Sequence, residues 1–305
     1  MEISTKEAKS ILTAQHSGFL ASAPYPFTHA LSAYTGCGFG QTSCGQYCYA
    51  QFLPNWAFGG FNAAWGLAVQ VKTNAARLLD AALHAMRPET RRRLRIFMST
   101  TTDPYQPIER RYQITRQCLE VFARYQDLDL LVIQTRSPLA ERDIPLMLNI
   151  SYAWLSVTIE TDDQDYLKGL GGGPALTRRR ELVRAASSAG VPTQITISPC
   201  LPYTNVEAFG QQLLHSGARR LVVDTVIDGD GARGERTARS PFPKVEPAWN
   251  ETSHAHQLYH YLLARAETMG ITVGWSIAGF CGIPPRTSAT FQDDMVRSPS
   301  NEALL

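Results

Sequence analysis

The chain has 305 residues, of which 44% are hydrophobic and 18% charged, and a formal net charge of +2. Its length allows one large or two small domains with a substantial core, and its composition is ordinary for a globular enzyme. The nearly neutral balance argues against nucleic acid as a partner, because duplex-binding proteins concentrate basic residues on one face. No apolar run in the sequence suits a membrane span or a signal segment, so we expect no membrane association and a reducing, cytoplasmic location.

Apolar periodicity predicts strands that alternate with helices along the chain. The predicted strands are 29–35, 94–99, 128–134, 154–159, 192–197 and 221–227, with a last apolar stretch at 271–277. The predicted helices are 6–13, 62–86, 108–124, 139–148, 174–189, 206–216 and 253–269. Six or seven βαβ-type units give a parallel sheet but fall short of a closed eightfold barrel. The predicted fold is therefore α/β, a partial (β/α)6 barrel over residues 28–283, between an N-terminal extension (1–27) and a C-terminal tail (284–305).

Two neighbouring predicted strands alternate polar and apolar residues. The polar positions are Ser156, Thr158, Glu160, Gln194, Thr196 and Ser198. Because side chains alternate along a strand, each set shares one face. A structural barrel fills its interior with branched apolar side chains, so these polar faces indicate an interior that holds a polar ligand. The alternative is that one of the two strands lies at a solvent-facing edge.

Three of the six cysteines, Cys37, Cys44 and Cys48, lie within twelve residues in a C-x6-C-x3-C pattern. The four glycines of residues 34–50 allow the backbone to turn tightly enough to bring the three thiols together. Three thiolates are one fewer than a closed [4Fe-4S] or structural zinc site uses, so a cluster here would keep one iron open. A disulfide would suit a small secreted chain, and a zinc site would need a fourth ligand, for which His29 has no recognisable spacing. The pattern favours an iron-sulfur cluster.

These residues resemble a known family. The cysteine triplet with Tyr47 and Tyr49 is similar to the radical S-adenosylmethionine superfamily, and the sequence TDPYQPIE at residues 102–109 resembles its spore-photoproduct-lyase-like branch. The resemblance covers about residues 34–205 and departs from the branch in its cysteine spacing, which is usually C-x3-C-x2-C. It implies a partial barrel with a [4Fe-4S] cluster on Cys37, Cys44 and Cys48. It also implies that the open iron binds S-adenosylmethionine, which is cleaved to a 5′-deoxyadenosyl radical.

The resemblance also implies a set of cofactor-binding residues at the carboxyl ends of the strands. They are Tyr47, Tyr49, Thr101, Thr102, Asp103, Arg136, Ser156, Thr158, Ser198 and Pro199. Thr102 and Asp103 match the family's site for the amino group of the cofactor. Arg136 matches the partner of its carboxylate, which suits the forked guanidinium. Tyr49 and the backbone near Ser198 match its adenine contacts.

The candidates for a hydrogen donor to a product radical are Cys200, Tyr203 and Cys281, each expected in a loop at the barrel mouth. For the two cysteines, the alternative is a buried apolar filler. In spore photoproduct lyase, by resemblance, a cysteine stands three residues before the aspartate that matches Asp103. This chain has Thr100 there, and a hydroxyl is a poor hydrogen-atom donor.

The polar loop 228–239 is a candidate lid, because Arg233, Arg236 and Arg239 would suit an anionic substrate. A solvated loop is the alternative. The sequence therefore predicts an enzyme that abstracts hydrogen from a small organic substrate, such as a nucleoside, a natural product or an anionic metabolite, with C–C bond formation or cleavage favoured. It would need an external electron donor such as flavodoxin or ferredoxin. The alternatives are repair of a DNA lesion and a non-catalytic iron-sulfur sensor.

Overall fold

The computed structural model describes residues 1–287. Its strands, in chain order, are β1 (Glu2–Lys6), β2 (Leu12–Ala14), β3 (His29–Leu31), β4 (Tyr34–Thr35), β5 (Ala68–Lys72), β6 (Arg95–Met98), β7 (Leu130–Thr135), β8 (Ala153–Thr158), β9 (Thr193–Ile197), β10 (Arg220–Val223) and β11 (Thr272–Trp275). The longer α-helices are Ala75–Ala85, Ile114–Phe122, Leu176–Ala189, Val206–Leu214 and Ser253–Ala266. The shorter α-helices are Ser43–Tyr47, Pro54–Ala57, Pro88–Arg91, Glu109–Tyr112, Ile144–Met147, Gln164–Gly169, Val226–Gly229, Glu235–Ala238, Phe242–Val245 and Ser276–Phe280. The 3-10 helices are Phe19–Ala21, Gly38–Gln41, Tyr49–Phe52, Pro138–Asp143 and Glu267–Met269.

The main sheet has eight strands in the order β11-β10-β9-β8-β7-β6-β3-β2. All neighbours are parallel except β2, which pairs antiparallel with β3 at one edge. Helices follow the parallel strands, because the chain must cross back to the other end of the sheet before the next parallel strand begins. The sheet has two edges, so the barrel is partial, as the sequence predicts. In this arrangement the carboxyl ends of β3 and of β6 to β10 meet at one mouth.

The apolar faces of the strands pack against the surrounding helices. Leu155, Val157 and Ile195 are fully buried in the main core, where they join residues of the Leu176–Ala189 helix. That helix ends at Gly190, whose φ of 102° is the left-handed conformation typical of a helix stop. The predicted outward direction of the apolar residues on β8 and β9 is therefore confirmed.

The interior of the barrel divides into an apolar base and a polar upper half. Phe97 and Val132 belong to the base, where they pack with Phe280 and Cys281. Higher up, the Thr158 and Thr196 hydroxyls lie 3.1 Å apart across β8 and β9. The polar faces of both strands thus lie inside the barrel and not at a solvent-facing edge.

Two predicted elements near the N-terminus are wrong. The predicted helix 6–13 is replaced by β1, β2 and a bend, because the Asn74 side chain bonds both the N–H and the carbonyl of Ala8 at 2.9 Å. The first half of the predicted helix 62–86 is instead β5, whose Val69 and Val71 are fully buried. The pairing of β5 with β1 and β4 outweighs the helical spacing of its apolar residues, and its β-branched valines favour a strand.

The predicted first strand, 29–35, is divided in two. β3 belongs to the barrel, whereas β4 pairs with β5 in a separate three-stranded sheet. The loop that carries the cysteines therefore leaves from the small sheet beside the barrel mouth. Of the predicted tail, 284–305, only residues up to 287 are among those described, and Arg286 donates from its backbone N–H to Asp129 at the barrel base at 2.6 Å.

Candidate functional site

The cysteine segment folds into a compact loop that requires glycine. Gly36 has a φ of 80°, and a Cβ there would lie 2.4 Å from the carbonyl oxygen of Ala68. A Cβ on Gly45 would lie 1.8 Å from the carbonyl oxygen of Gly40. Both positions exclude every other residue, because a side chain would collide with backbone. The loop therefore holds its sulfur-bearing residues in one fixed backbone path.

Two side chains that follow β6 hold this loop by its backbone. Thr102 donates its hydroxyl to the carbonyl of Gly36 at 2.6 Å. Gln106 accepts from the N–H of Gly38 at 2.7 Å and donates to the Thr102 hydroxyl at 2.9 Å. The sequence indicated Thr102 as a cofactor contact but missed Gln106. The signal that could have identified Gln106 was its place in the 102–109 motif, in which every residue was a candidate for a structural role.

Glu109, the last residue of the same motif, is fully buried and joins several elements. It accepts hydrogen bonds from the Tyr34 hydroxyl and from the backbone N–H of Thr115, the latter at 3.0 Å. Arg142 forms an ion pair with it at 3.2 Å. The motif thus connects β4, the Ile114–Phe122 helix and the loop after β7, so its acid is structural.

A cavity at the barrel mouth brings most of the predicted site residues together. It holds ≈ 840 Å³ of empty space, its solvent-open mouth included. The predicted residues that line it are Cys37, Cys44, Tyr47, Cys48, Tyr49, Thr101, Thr102, Asp103, Arg136, Thr158, Ser198 and Pro199. Ser156 is the exception among the predicted cofactor contacts. It lies fully buried below the cavity, where its hydroxyl accepts from Gln194 at 3.2 Å.

The three thiols of the triplet stand on one wall of this cavity and are free of disulfides. Burial, reinforced by Asp103, raises the pKa of the Cys37 thiol to about 12. A hydrogen bond from Cys48, together with Arg136, lowers the pKa of the Cys44 thiol. Among residues 1–287, no three His, Cys, Asp or Glu side chains are arranged to hold a metal ion. The thiols therefore share a cavity without converging on a single ion.

A buried charge network lies next to the thiols. Glu160 is fully buried and forms ion pairs with Arg136 and, at 2.5 Å, with Arg179. The Tyr47 hydroxyl donates to the same carboxylate at 3.0 Å. Burial opposes ionisation of Glu160, but the two guanidinium groups outweigh it and lower its pKa to about 2. Arg136 is thus held in place by Glu160 and also reaches the cavity wall.

Asp103 is a second buried carboxylate on the cavity wall. It accepts hydrogen bonds from the Thr135 hydroxyl at 2.6 Å and from the backbone N–H groups of Tyr105 and Arg136 at 2.8 and 2.9 Å. Burial raises its pKa in spite of these bonds. Its acceptor bonds fix the carboxylate between the ends of β6 and β7, beside Cys37.

Sequence reasoning missed a buried carboxylate that contacts the cavity-lining residue Ser198. Asp224 follows β10 directly, is 1% exposed, and accepts from the Ser198 hydroxyl at 2.9 Å. Asp224 could have been identified from its position at the end of an apolar strand, which is also the position of Asp103. The sequence predicted that this strand extends to residue 227, whereas it ends at Val223. The prediction therefore placed Asp224 inside the strand.

The three candidate hydrogen donors do not line the cavity. Cys200 is buried and lines a smaller neighbouring cavity, which shares Thr225 and Val226 with the first. The Tyr203 hydroxyl donates to the carbonyl of His254 at 2.8 Å. For Cys281 the expected place at the mouth is wrong, because the Ser276–Phe280 helix leads the chain to the apolar base, where Cys281 is fully buried against Leu20.

The loop 228–239 is folded around Asp230 and does not present its arginines to the cavity together. The Asp230 carboxylate accepts four backbone N–H groups, those of Ala232, Gly234, Arg236 and Thr237. The Arg236 guanidinium donates to the carbonyl of Asp230, and Arg239 lies over the Phe52 ring at 4.9 Å. Gly229, Asp230 and Thr237 are the loop residues on the cavity wall.

Comparison with solved structures identifies the fold. A mutant of spore photoproduct lyase with bound AdoMet and dinucleoside spore photoproduct matches 89% of this chain and 80% of its own, with a TM-score of 0.59 and 13% sequence identity. A second mutant of the same lyase matches with a TM-score of 0.60 and 14% identity. The chain has the spore photoproduct lyase fold. The predicted resemblance is thereby confirmed at the level of the fold.

Comparisons of sequence add relatives without an assigned role. An uncharacterised protein of Methanocaldococcus jannaschii is 28% identical over 175 residues, which are 57% of this chain and 61% of that protein. An uncharacterised protein of Mycobacterium tuberculosis is 29% identical over 187 residues, 59% of this chain and 52% of its own length. The matches therefore span roughly half to three fifths of these curated relatives. No family model matches the chain.

None of the helices within residues 1–287 combines the length and the apolar character that crossing a bilayer demands.

Proposed function

We propose that this protein is a radical S-adenosylmethionine enzyme that abstracts hydrogen from a small organic substrate. The observation that carries the proposal is the shared cavity, in which the three thiols face Asp103 and Arg136 at the mouth of a spore photoproduct lyase fold. The cysteine spacing differs from the usual pattern of the branch, yet the three thiols still line one cavity wall.

The donor set fits a [4Fe-4S] cluster with an open iron. Each of three thiolates binds a different iron in such a cluster, so the thiols need to line a common space without meeting at one ion. In support of this arrangement, Cys37, Cys44 and Cys48 all line one cavity, and the Cys44 and Cys48 thiols are hydrogen-bonded neighbours. Because the three thiols are partly buried, exclusion of water and nearby charges would set the properties of a cluster bound here.

The chain's own residues suit the polar groups of S-adenosylmethionine. With its amino acid end on the open iron, the cofactor would supply a 5′-deoxyadenosyl radical on one-electron reduction. Asp103 is fixed as an acceptor for an ammonium group, and Arg136 is held by Glu160 at the cavity wall, where it can bind a carboxylate. Thr158 and Ser198 offer hydroxyls on the far side of the cavity. The protein would thus bind and orient the cofactor and keep water from the reactive carbon.

The mixed polar and apolar lining of the cavity supports a nucleoside or another small polar metabolite as substrate. C–C bond formation or cleavage is the reaction type we favour. The electron would come from an external donor such as flavodoxin or ferredoxin.

Anaerobic reconstitution tests the proposal. After incubation with iron and sulfide and reduction, the protein should contain about four irons per chain and convert S-adenosylmethionine to 5′-deoxyadenosine. Replacement of Cys37, Cys44 or Cys48 by Ala should abolish both. Cys118→Ala is the matched control, because Cys118 is fully buried in the Ile114–Phe122 helix and should leave both intact. A wild-type protein that binds zinc tightly and forms no 5′-deoxyadenosine would refute the proposed function.

A further inference from the structure

The cysteine loop lies in a long stretch of chain that contains no charged residue. Although 18% of the whole chain is charged, residues 30–71 include no Asp, Glu, Lys, Arg or His. The stretch continues after the cysteines into residues 52–65, which we call the aromatic lobe because they include two tryptophans and three phenylalanines. The centre of a protein–protein interface has the same character, since it is depleted in charge and enriched in aromatic residues.

The aromatic lobe presents apolar surface to solvent. Phe58 is 87% exposed, the largest exposed fraction among the large apolar side chains of residues 1–287. The rings beside it are ordered by their contacts. Trp56 stacks on Phe61 with ring centroids 4.3 Å apart, and it meets Trp65 edge-on at 4.9 Å. The lobe is therefore a constructed apolar surface, and exposed patches of this kind mark interaction sites.

The inner side of the aromatic lobe lies against the cysteine loop. Leu53 and Trp56 are half-buried and pack on a group of buried side chains that includes Cys37 and Trp65. Cys48 packs on the same group. Trp65 also lines the cavity that holds the three thiols. A single layer of half-buried side chains thus lies between solvent and the group that contains Cys37.

Two exposed arginines flank this uncharged surface. The Arg239 guanidinium carbon lies 4.9 Å from the centre of the Phe52 ring, and Arg110 lines a groove together with Phe39 of the cysteine loop. Neither arginine forms an ion pair with another residue of 1–287. The acid of that groove, Glu141, is itself in an ion pair. The surface is neutral at its centre and positive at its rim, which complements a partner with an acidic rim.

The position of the aromatic lobe indicates what such a partner delivers. Electron tunnelling between two proteins slows steeply with distance, so a carrier has to place its redox group close to the cluster that it reduces. The lobe packs against the cysteine loop and is exposed on its other side, which meets this requirement. A nucleic acid would instead need a concentrated basic surface, and two arginines around an uncharged centre do not supply one.

We propose that the aromatic lobe is the docking surface for an acidic one-electron carrier protein of the flavodoxin or ferredoxin type. In the docked complex one electron passes to a [4Fe-4S] cluster on Cys37, Cys44 and Cys48, which changes from the 2+ to the 1+ state while the carrier is oxidised by one electron. No covalent bond forms or breaks. The inference rests on the proposed function and adds to it the place at which the electron enters.

The test compares a protein reductant with a small one, using anaerobically reconstituted holoenzyme. Flavodoxin serves as the carrier and dithionite as the small reductant, which needs no docking surface. Phe58→Ser should weaken flavodoxin binding about tenfold or more, as loss of a central interface aromatic does, and should slow cluster reduction by photoreduced flavodoxin. Calorimetry measures the binding, and the EPR signal of the reduced cluster measures the rate. Reduction by dithionite should remain at the wild-type rate.

Arg239→Glu tests the rim separately. It should weaken flavodoxin binding and make it less sensitive to salt, because it replaces an attractive charge by a repulsive one. Leu148→Ser is the matched control, because Leu148 is 47% exposed but precedes β8 and so lies toward the base of the barrel. This variant should bind flavodoxin and accept its electron as wild type does.

Three results would overturn the assignment. One is that Phe58→Ser and Arg239→Glu bind flavodoxin, and are reduced by it, as wild type is. Another is that Phe58→Ser slows both reductants equally, which would show that the lobe shapes the cluster site and does not dock a carrier. The third is a wild-type holoenzyme that dithionite reduces but that neither flavodoxin nor a low-potential ferredoxin reduces. A wild-type protein that assembles no cluster would instead overturn the proposed function, and this inference with it.

Discussion

At the scale of single residues, Gln106 shows how a motif can serve a site without touching a ligand. Its side chain accepts from the Gly38 N–H and donates to the Gly36 carbonyl at 3.3 Å and to the Thr102 hydroxyl, so it contacts the backbone on either side of Cys37. Each such buried hydrogen bond is worth about 1 kcal/mol. The backbone next to Cys37 therefore depends on the side-chain amide of Gln106.

We expect Gln106→Leu to loosen the cysteine loop and lower the iron and sulfide bound after reconstitution to about half of the wild-type value or less. The physical reason is that leucine has a similar size but cannot make any of the three hydrogen bonds of the Gln106 side chain. Quantification of iron and sulfide per chain measures the effect. Gln211→Leu is the control, because Gln211 is exposed and contacts Tyr261 away from the site. Equal cluster content in both variants would contradict the role of Gln106.

Asp224 should also leave a signature in the pH dependence of stability. Its pKa is about 7 in the folded chain and 3.8 for an ordinary aspartate, and Asp228 adds to the burial that raises it. Between about pH 4 and about pH 7, the folded chain keeps a proton that the unfolded chain has released, so this residue makes stability fall as pH rises. Thermal unfolding of Asp224→Asn should show a flatter slope than wild type over this window. Parallel slopes would show that Asp224 ionises normally.

At the scale of elements, the Glu160 network ties β8 to the Leu176–Ala189 helix. Arg179 is 1% exposed and donates to Glu160 at 2.5 Å and to the carbonyl of Thr158 at 3.1 Å. Losing Arg179 leaves the buried Glu160 with Arg136 as its ion-pair partner, so the cost is at most about 3–5 kcal/mol, that of a broken buried pair. We expect Arg179→Met to lower the free energy of unfolding by up to this amount, measured by denaturant titration.

Arg178 is the control for that prediction, because it is the next residue on the same helix. Its side chain is 56% exposed in ion pairs with Glu181 and Glu141, and exposed pairs contribute about 0–1 kcal/mol. Arg178→Met should therefore be nearly neutral. If both variants lose the same stability, the effect belongs to the helix and not to the buried pair.

The long barrel elements were predictable because burial enforces their pattern. β8 and β9 alternate polar and apolar residues, and the Leu176–Ala189 helix stops at the predicted glycine. The small sheet was not predictable, since β1 and β4 are stabilised by pairing with β5, which no local pattern reveals. The glycines at 171–173 are a related case. The carbonyl of Gly172 accepts the N–H of Ser43 at 2.9 Å and so supports the cysteine loop from a segment far away in sequence.

At the scale of the whole molecule, the two ends of the barrel have separate roles. The mouth holds the polar cavity, and the base is closed by aromatic and aliphatic residues together with Cys281. Arg95 reinforces the base through an ion pair with Asp129 at 2.5 Å. A hydrogen donor is useful only at the mouth, so Cys281 is placed for packing.

We therefore expect Cys281→Ala to keep wild-type formation of 5′-deoxyadenosine while lowering stability by about 1 kcal/mol, since it removes a small buried side chain. Cys200→Ala tests the donor role that remains a prediction, because Cys200 lines the cavity adjoining the site. Product analysis with the natural substrate would separate the two variants. Loss of 5′-deoxyadenosine formation in a folded Cys281→Ala protein would contradict the assignment of Cys281 to the base.

The sequence by itself determined the strand and helix alternation, the cysteine triplet and the polar strand faces, because each depends on residues that are near one another in the chain. Only the tertiary structure decided which of the distant residues meet. It joined Arg136 to Glu160, turned Cys281 to the base and buried Asp224 against Ser198 at the end of β10. These outcomes depend on strand register and on the path of the last helix through the barrel, which are fixed by packing between segments far apart in sequence.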